Sequence, residues 1–421
     1  MKKAAIILTV LALVVSLFAA CQTAAPSVPA DTTAKQPAGT TAAAPKTEQP
    51  ESSDSAAVSE PVTSEEVTSE QATEPAPATS EIVTDEATES VPVTSEIVTD
   101  EVTEPAPATE ETTEKQPEPP ADPFEGKELE LYTEISRSTM SVSSYEMRGF
   151  TVSPDGKFAY CGFLQDGRLV VKYDVEHSFA EKETYKPASS DNELYCKGLA
   201  ADDRGYVYVG ITHNGHSDVS VAVLDGNMNQ VGYKTDDLGG GKTGVNGVAI
   251  KKLDGKYLLY VVTGYETDSV RCYDVTDPAN ISLYGGFGEG GVMAWSVSGG
   301  KEDPSYVAVD GDGTVYVSCE KDNAVYKIAK DGKSAVSKAT VNKAFGICES
   351  GEYLFVATKN SALSVVQILN KSDLSKVSTL KYEDQKNNLS DIAVGGGKLF
   401  VGDHGDNVQF AGLVLGVALG F

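Results

Sequence analysis

Between Gln22 and Pro123 the chain contains no Phe, Tyr or Trp, and all 421 residues together hold one tryptophan, Trp295, and four histidines. A segment of 102 residues without aromatics, dominated by Thr, Glu, Pro, Ala and Ser, cannot bury enough apolar surface to offset the entropy of ordering. Residues 22–123 are therefore expected to form a disordered tether. Base is scarce as well: 34 Lys and Arg stand against 62 Asp and Glu, a net charge of −28 at pH 7. The tether has 22 acids and 3 bases, and 124–421 has 40 acids and 29 bases. Phosphate backbones demand a basic face, so nucleic acid is excluded as a partner. The absence of G-x-S-x-G and H-E-x-x-H removes the nucleophile-elbow hydrolases and the helical zinc proteases. None of the six cysteines forms C-x-x-C or another zinc-ligand spacing. No segment carries a convincing amphipathic helix, which leaves an all-β domain.

The N-terminal run MKKAAIILTVLALVVSLFAAC places Lys2 and Lys3 before an apolar stretch from Ala4 to Ala20, followed by small residues and Cys21. The pattern is that of a secretion signal. Ala19-Ala20-Cys21 resembles a bacterial lipobox, with Phe18 in place of the usual Leu. The resemblance implies that residues 1–21 are a lipoprotein signal peptide and that Cys21 is lipidated. The chain would then be anchored on the outer face of the cytoplasmic membrane and displayed through the wall. The tether repeats internally, Thr79-SEIVTDEATE returning as Thr94-SEIVTDEVTE, so length and charge matter more than any one side chain. As a flexible coil it would span about 50–60 Å, and fully extended about 300 Å.

From Gly149 onward one pattern recurs six times: Gly149-FTVSPDGKFAYCGF, Gly198-LAADDRGYVYVGI, Gly247-VAIKKLDGKYLLYVV, Tyr306-VAVDGDGTVYVSC, Gly346-ICESGEYLFVAT and Asp391-IAVGGGKLFVGD. The starts lie 49, 49, 59, 40 and 45 residues apart. Such periods, with alternating β-branched and aromatic residues and a turn rich in Asp and Gly, belong to β-propeller blades. Residues 124–421 are expected to form one six-bladed propeller, seven blades being the alternative. After Asp403 the sixth repeat breaks into the apolar run 408–421, which is too short and Gly-rich for a membrane helix. That run is expected to be a buried closing strand, with Lys127-ELELYTEI lent from the N-terminus to complete the last blade. The long 59-residue step holds the insert Gly285–Asp303, in which Trp295 caps the mouth, contacts a partner or packs between blades.

Val270-RCYDVTDPAN resembles the LVIVD-type repeat of bacterial surface propellers, and Val307-AVDGDGTVYVS resembles an NHL or YVTN repeat. These likenesses imply architecture; most relatives are binding or scaffold domains and a minority are lyases or lactonases. With Cys21 assigned to lipid, Cys161, Cys196, Cys272, Cys319 and Cys348 remain, read as buried free thiols, a Cys161–Cys196 disulfide being the alternative. Asp310-Gly-Asp-Gly has a calcium-loop flavour but occupies the hairpin-turn slot, and Gly286-FGEGG fits a dinucleotide pattern without its βαβ context.

Propeller ligands meet the end where the inner strands begin, with the loops between second and third strands. Inner-strand entries offer Glu146, Arg148, Lys197, Asn246, Tyr306, Phe345 and Asp391. The loops offer Gln165, Asp166, His213, His216, Glu266, Glu320, Lys359, Asp403 and His404. The candidate ligand rim is Arg148, Lys197, Asn246, Glu266, Glu320, Lys359, Asp391, Asp403 and His404, mixed charges suited to a polar ligand or a peptide loop. Val245-Asn246-Gly-Val-Ala also resembles the asparagine motif of gluconolactonase-like propellers. That likeness implies a divalent-cation set of Glu146, Asn246 and Asp391, calcium polarising a lactone carbonyl. His213 and His216 suggest a metal clamp or an acid–base pair, with an exposed turn as the favoured reading. No cofactor is expected apart from that calcium. The expectation is a monomeric lipid-anchored binding, adhesion or scaffold module for an unidentified protein, peptide or glycan, with a metal-dependent lactonase, hydrolase or lyase as the alternative.

Overall fold

The computed structural model describes residues 122–136, 147–163, 169–187, 194–213, 218–237, 243–300, 303–359, 364–382, 389–404 and 410–420. Cys21, the tether as far as Ala121, Glu146, Gln165, Asp166 and His216 lie outside them. Six antiparallel sheets make up the described chain. Their first strands are Met147–Val152, Leu194–Ala201, Thr243–Leu253, Tyr306–Val309, Ala344–Ser350 and Leu389–Gly395, heading blades I to VI in chain order. Each repeat folds as a meander because every second residue is apolar and the hairpin turn is locally specified. In blade II, Asp202 Oδ1 accepts the backbone N–H groups of Arg204 (2.9 Å) and Tyr206 (3.0 Å). Asp202 Oδ2 accepts the Tyr208 hydroxyl at 2.9 Å, and Gly205 takes φ 86°. Blade IV repeats the device: Asp310 accepts from the N–H of Asp312 (3.2 Å) and Thr314 (3.0 Å) and from the Tyr316 hydroxyl (3.0 Å). The Asp310-Gly-Asp-Gly carboxylate is thus spent on its own turn.

Blade VI closes the ring. Its own strands Leu389–Gly395, Lys398–Asp403 and Phe410–Ala418 are followed outermost by Glu130–Ser136, which pairs antiparallel with Phe410–Ala418. The C-terminal run is the buried third strand that its apolar sequence demands, with Leu413, Val414 and Leu415 at most 2 % exposed. Just before the borrowed strand, Phe124 packs edge-on against Tyr353 (5.0 Å) and Phe355 (5.8 Å) of blade V. The Leu129 N–H donates to Lys381 O (2.9 Å), so the N-terminal segment ties blade V to blade VI.

The 59-residue step is accounted for in blade III. In place of one fourth strand, the fragments Ser282–Leu283 and Val292–Ala294 both pair with Ser269–Asp274. A 3-10 turn, Trp295–Ser298, follows. Trp295 is buried against Tyr326 of blade IV at 5.0 Å between ring centroids. It packs between blades and does not cap the mouth. All five described cysteines are free thiols, four of them buried, and burial pushes Cys272 and Cys319 up to about 12. Among the described residues no helix is long and apolar enough to cross a membrane.

Candidate functional site

The six repeats begin with Gly149, Gly198, Gly247, Tyr306, Gly346 and Asp391, and these positions form a ring around the axis. Four are glycine because neighbouring inner strands touch there. A Cβ on Gly198 would lie 2.9 Å from Gly247 Cα, and one on Gly346 would lie 2.3 Å from Ser390 O, backbone that cannot yield. Only blades IV and VI place a side chain at this neck. The Tyr306 hydroxyl lies 2.9 Å from both Arg148 O and Lys197 O, sharing its one hydrogen between blades I and II. Asp391 Oδ1 accepts the Ile392 N–H (2.8 Å) and Oδ2 the Phe150 N–H (3.3 Å). Below the neck runs an axial channel of about 280 Å³ lined by all six inner strands, Asp391 included.

Above the neck lies the mouth, about 350 Å³, floored by Tyr306. A β-bulge builds its wall. In blades I, II and III the register slips at Met147/Gly149, Cys196/Gly198 and Val245/Gly247, leaving Arg148, Lys197 and Asn246 as the extra residues. A bulged residue is unpaired and its side chain is re-aimed; these three point into the mouth's lining. Blades IV, V and VI complete it with Glu320, Lys359 and His404 from the loops after their second strands. Six of the nine candidate rim residues therefore meet in one cavity, one from each blade.

The remaining three do not line it. Glu266 is exposed and its neighbour Tyr265 lines the mouth instead. Asp403 is buried, 2 % exposed, behind the wall. Asp391, expected at the rim, sits at the neck and faces the axial channel, with both its carboxylate oxygens accepting backbone N–H groups. Tyr265, Asp303, Ser305 and Lys321 complete the lining and were not among the expected residues, although Tyr265 and Lys321 sit one position from Glu266 and Glu320. Asp303 is the last residue of the blade III insert, so the long step does reach the mouth. His213 is half-buried, its Nε2 3.3 Å from Ser220 Oγ and away from the cavity.

Electrostatics divide the neck from the mouth. Burial pushes Asp391 well above the ordinary carboxylate range, against the opposing pull of the Ile392 and Phe150 N–H groups, and it pushes the buried Tyr306 up as well. His404, 4 % exposed, is held well below the usual histidine range, first by burial and then by the cations of Arg148 and Lys359. Its Nε2 has no hydrogen-bond partner among the described residues. Lys197 Nζ donates to the Tyr265 hydroxyl (2.8 Å), and Lys359 Nζ stands 4.8 Å over the Phe345 ring. Asp303 accepts Lys321 (2.8 Å) and Glu320 faces Lys343 (3.6 Å).

Of the implied calcium set, Glu146 lies outside the described residues, and Asn246 and Asp391 line different cavities. Asn246 turns its amide nitrogen to donate to Pro304 O (2.8 Å), and Asp391 lines the axial channel, where it accepts backbone N–H groups. No group of three His, Cys, Asp or Glu able to hold a metal occurs among the described residues.

Titration of Asp391 has a direction that can be checked. Its raised folded value means its contribution to stability is fully present below the unfolded value of 3.8 and is lost as pH rises through the folded one. Denaturant unfolding at pH 4 and pH 7 is therefore expected to show wild type losing ground to Asp391→Asn with rising pH. A gap between the two that does not change with pH would contradict a carboxyl raised by burial.

Fold and site together define a six-bladed β-propeller with a floored polar mouth at the inner-strand entry face. Within it, residues 343–381 match the LVIVD repeat, so the chain carries that repeat. The match falls on blade V, not on the blade III segment at Val270 whose sequence suggested it. No curated protein matches the chain. Among solved structures, a PQQ-bound aldose sugar dehydrogenase from Streptomyces coelicolor is similar at 13 % identity and TM-score 0.47, over 68 % of this chain and 97 % of that one. A catalytically inactive virginiamycin B lyase from Staphylococcus aureus with quinupristin is similar at 14 % identity and TM-score 0.44, over 67 % and 88 %. A nidogen/laminin complex is similar at 11 % and 0.43, over 59 % and 84 %. At such similarity nothing of their activities transfers.

Proposed function

We propose that this chain is a surface-displayed binding module whose capture site is the propeller mouth. A lipid on Cys21 holds it at the outer face of the cytoplasmic membrane, and the 22–123 tether carries the propeller clear of the surface. The observation that supports capture is the convergence of Arg148, Lys197, Asn246, Glu320, Lys359 and His404, one from each blade, on a single cavity over an aromatic floor. Polar side chains converging on a preformed concavity of this size are what small ligands and terminal groups seat in. The alternative, a metal-dependent lactonase or lyase, has no ligand set among the described residues to support it.

Display is tested on whole cells with an antibody to the propeller. Deleting 22–123 while keeping Cys21 is expected to abolish surface labelling without changing the thermal melt, and Cys21→Ala is expected to release the chain into the medium. Labelling that survives the deletion overturns the role of the tether; Cys21→Ala chain that stays with the membrane overturns the anchor.

A further inference from the structure

We infer that the mouth binds an acidic saccharide, a single sugar ring whose carboxylate is held by Arg148, Lys197 and Lys359 while a ring hydroxyl meets His404. The inference rests on the reading of the mouth as a capture site and gives that site its ligand class.

Charge is the first argument. In a chain of net charge −28 the described residues lining the mouth include four cations, Arg148, Lys197, Lys321 and Lys359, against two carboxylates, Asp303 and Glu320. Each of those carboxylates has a lysine of its own at 2.8 Å and 3.6 Å. Among the described lining residues the balance is opposite in sign to the net charge of the chain, which suits an anion drawn into a low-dielectric funnel.

The cations are also positioned. The Tyr306 hydroxyl, 2.9 Å from Arg148 O and Lys197 O, pins the backbone of two of them. Lys197 is held on the Tyr265 hydroxyl, and Lys359 over the Phe345 ring. Tyr265 itself stands at φ 76°, a left-handed backbone rarely tolerated by a bulky residue, with its side chain exposed at the mouth. Strain of this kind concentrates where ligands are gripped.

A bare oxyanion would not need the rest of the lining. The His404 imidazole is 96 % buried, neutral, and lacks a partner for Nε2 among the described residues. A buried polar atom of this sort is normally satisfied, and a hydroxyl, being both donor and acceptor, serves either tautomer. Ser305 and Tyr265 add further neutral groups, and about 350 Å³ accommodates one sugar ring.

The test is a thermal-shift and calorimetric titration of the full chain in detergent with glucuronate and galacturonate, with glucose and galactose as neutral counterparts and inorganic phosphate as the bare anion. The uronates are expected to raise the melting temperature saturably, with an affinity that weakens as salt rises. The neutral sugars are expected to bind at least about 10-fold more weakly, and Lys359→Glu or Lys197→Gln to weaken the uronates by a similar factor, each mutation removing a charge-assisted contact. The inference is overturned if glucose binds as well as glucuronate, if phosphate protects as strongly as the uronates, or if both lysine variants bind normally. Equal binding of neutral and acidic sugars that is lost in Ser305→Trp, which fills the mouth without altering its charge, removes the acidic ligand and keeps the capture site. If no probe shifts the melt of either wild type or Ser305→Trp, inference and capture site fall together.

Discussion

A chain beginning at residue 137 is expected to lose cooperative unfolding, while one beginning at Ala121 melts like the full-length protein. The difference between them is the closing segment. Blade VI supplies three strands of its own and takes the fourth, Glu130–Ser136, from the N-terminus. Without it the edge of Phe410–Ala418 is unpaired, and the buried face of the last blade opens to water. The segment also carries Phe124, Leu129 and Ile135, exposed by 2 %, 4 % and 5 %. Burying each such side chain is worth about 1.5–3 kcal/mol. Three together approach the whole stability of a typical domain, about 5–15 kcal/mol. Because Phe124 and Leu129 pack in the cluster of blades V and VI, their loss loosens two blades at once. Circular dichroism melts of the two truncations decide the matter. If the chain from 137 melts within a few degrees of the chain from 121, the ring does not depend on the borrowed strand.

Tyr306→Ala is expected to cost about 3–5 kcal/mol, the range for deleting a buried aromatic, and to remove ligand binding at the mouth. Tyr306 is 3 % exposed and packs edge-to-face on Phe345 at 5.1 Å. Its ring floors the mouth above the axial channel, so its removal merges the two spaces. Tyr306→Phe separates the roles. It keeps the floor and loses only the bond shared by Arg148 O and Lys197 O, a cost of about 1–3 kcal/mol for carbonyls left unsatisfied. Since those carbonyls belong to two of the cation-bearing residues, the phenylalanine variant is expected to bind uronate more weakly while remaining folded at room temperature. Uronate affinity unchanged in Tyr306→Phe would show that the hydroxyl does not position the cations.

Much of the site was readable before the structure because a propeller converts sequence position into spatial position. The residue just before each repeat start falls at the entry of an inner strand, which is why Arg148, Lys197, Asn246 and Phe345 could be placed at one end of the ring. Loops after second strands fall at the same end, which placed Glu320, Lys359 and His404 there. Side-chain direction was not readable at that resolution. In strands and tight loops it alternates with every residue, so a slip of one exchanges Tyr265 for Glu266. Asp391 shows the other limit. Its sequence position matches four glycines and a tyrosine, and only the closeness of the inner strands decides that a carboxylate there is buried on the axis and raised above its ordinary range.

The LVIVD likeness behaved in the same way. Its chemistry-free pattern of alternating apolar residues and turn was present in blade III to the eye, and the repeat itself is matched at residues 343–381 in blade V. Sibling blades share the pattern because each solves the same packing problem, so resemblance to any one of them carries the architecture and not the site.

By itself the sequence determined the all-β class, the blade count, the hairpin turns and the closing strands, because these follow from periodicity, turn chemistry and the need to cover sheet edges, all local properties of the chain. The tertiary structure alone decided that the neck is filled by Tyr306 and Asp391, that Trp295 serves packing, and that Arg148, Lys197 and Lys359 from three different blades meet in one cavity. Those outcomes depend on which residues ring closure brings within a few ångströms of one another, and no stretch of sequence contains that information.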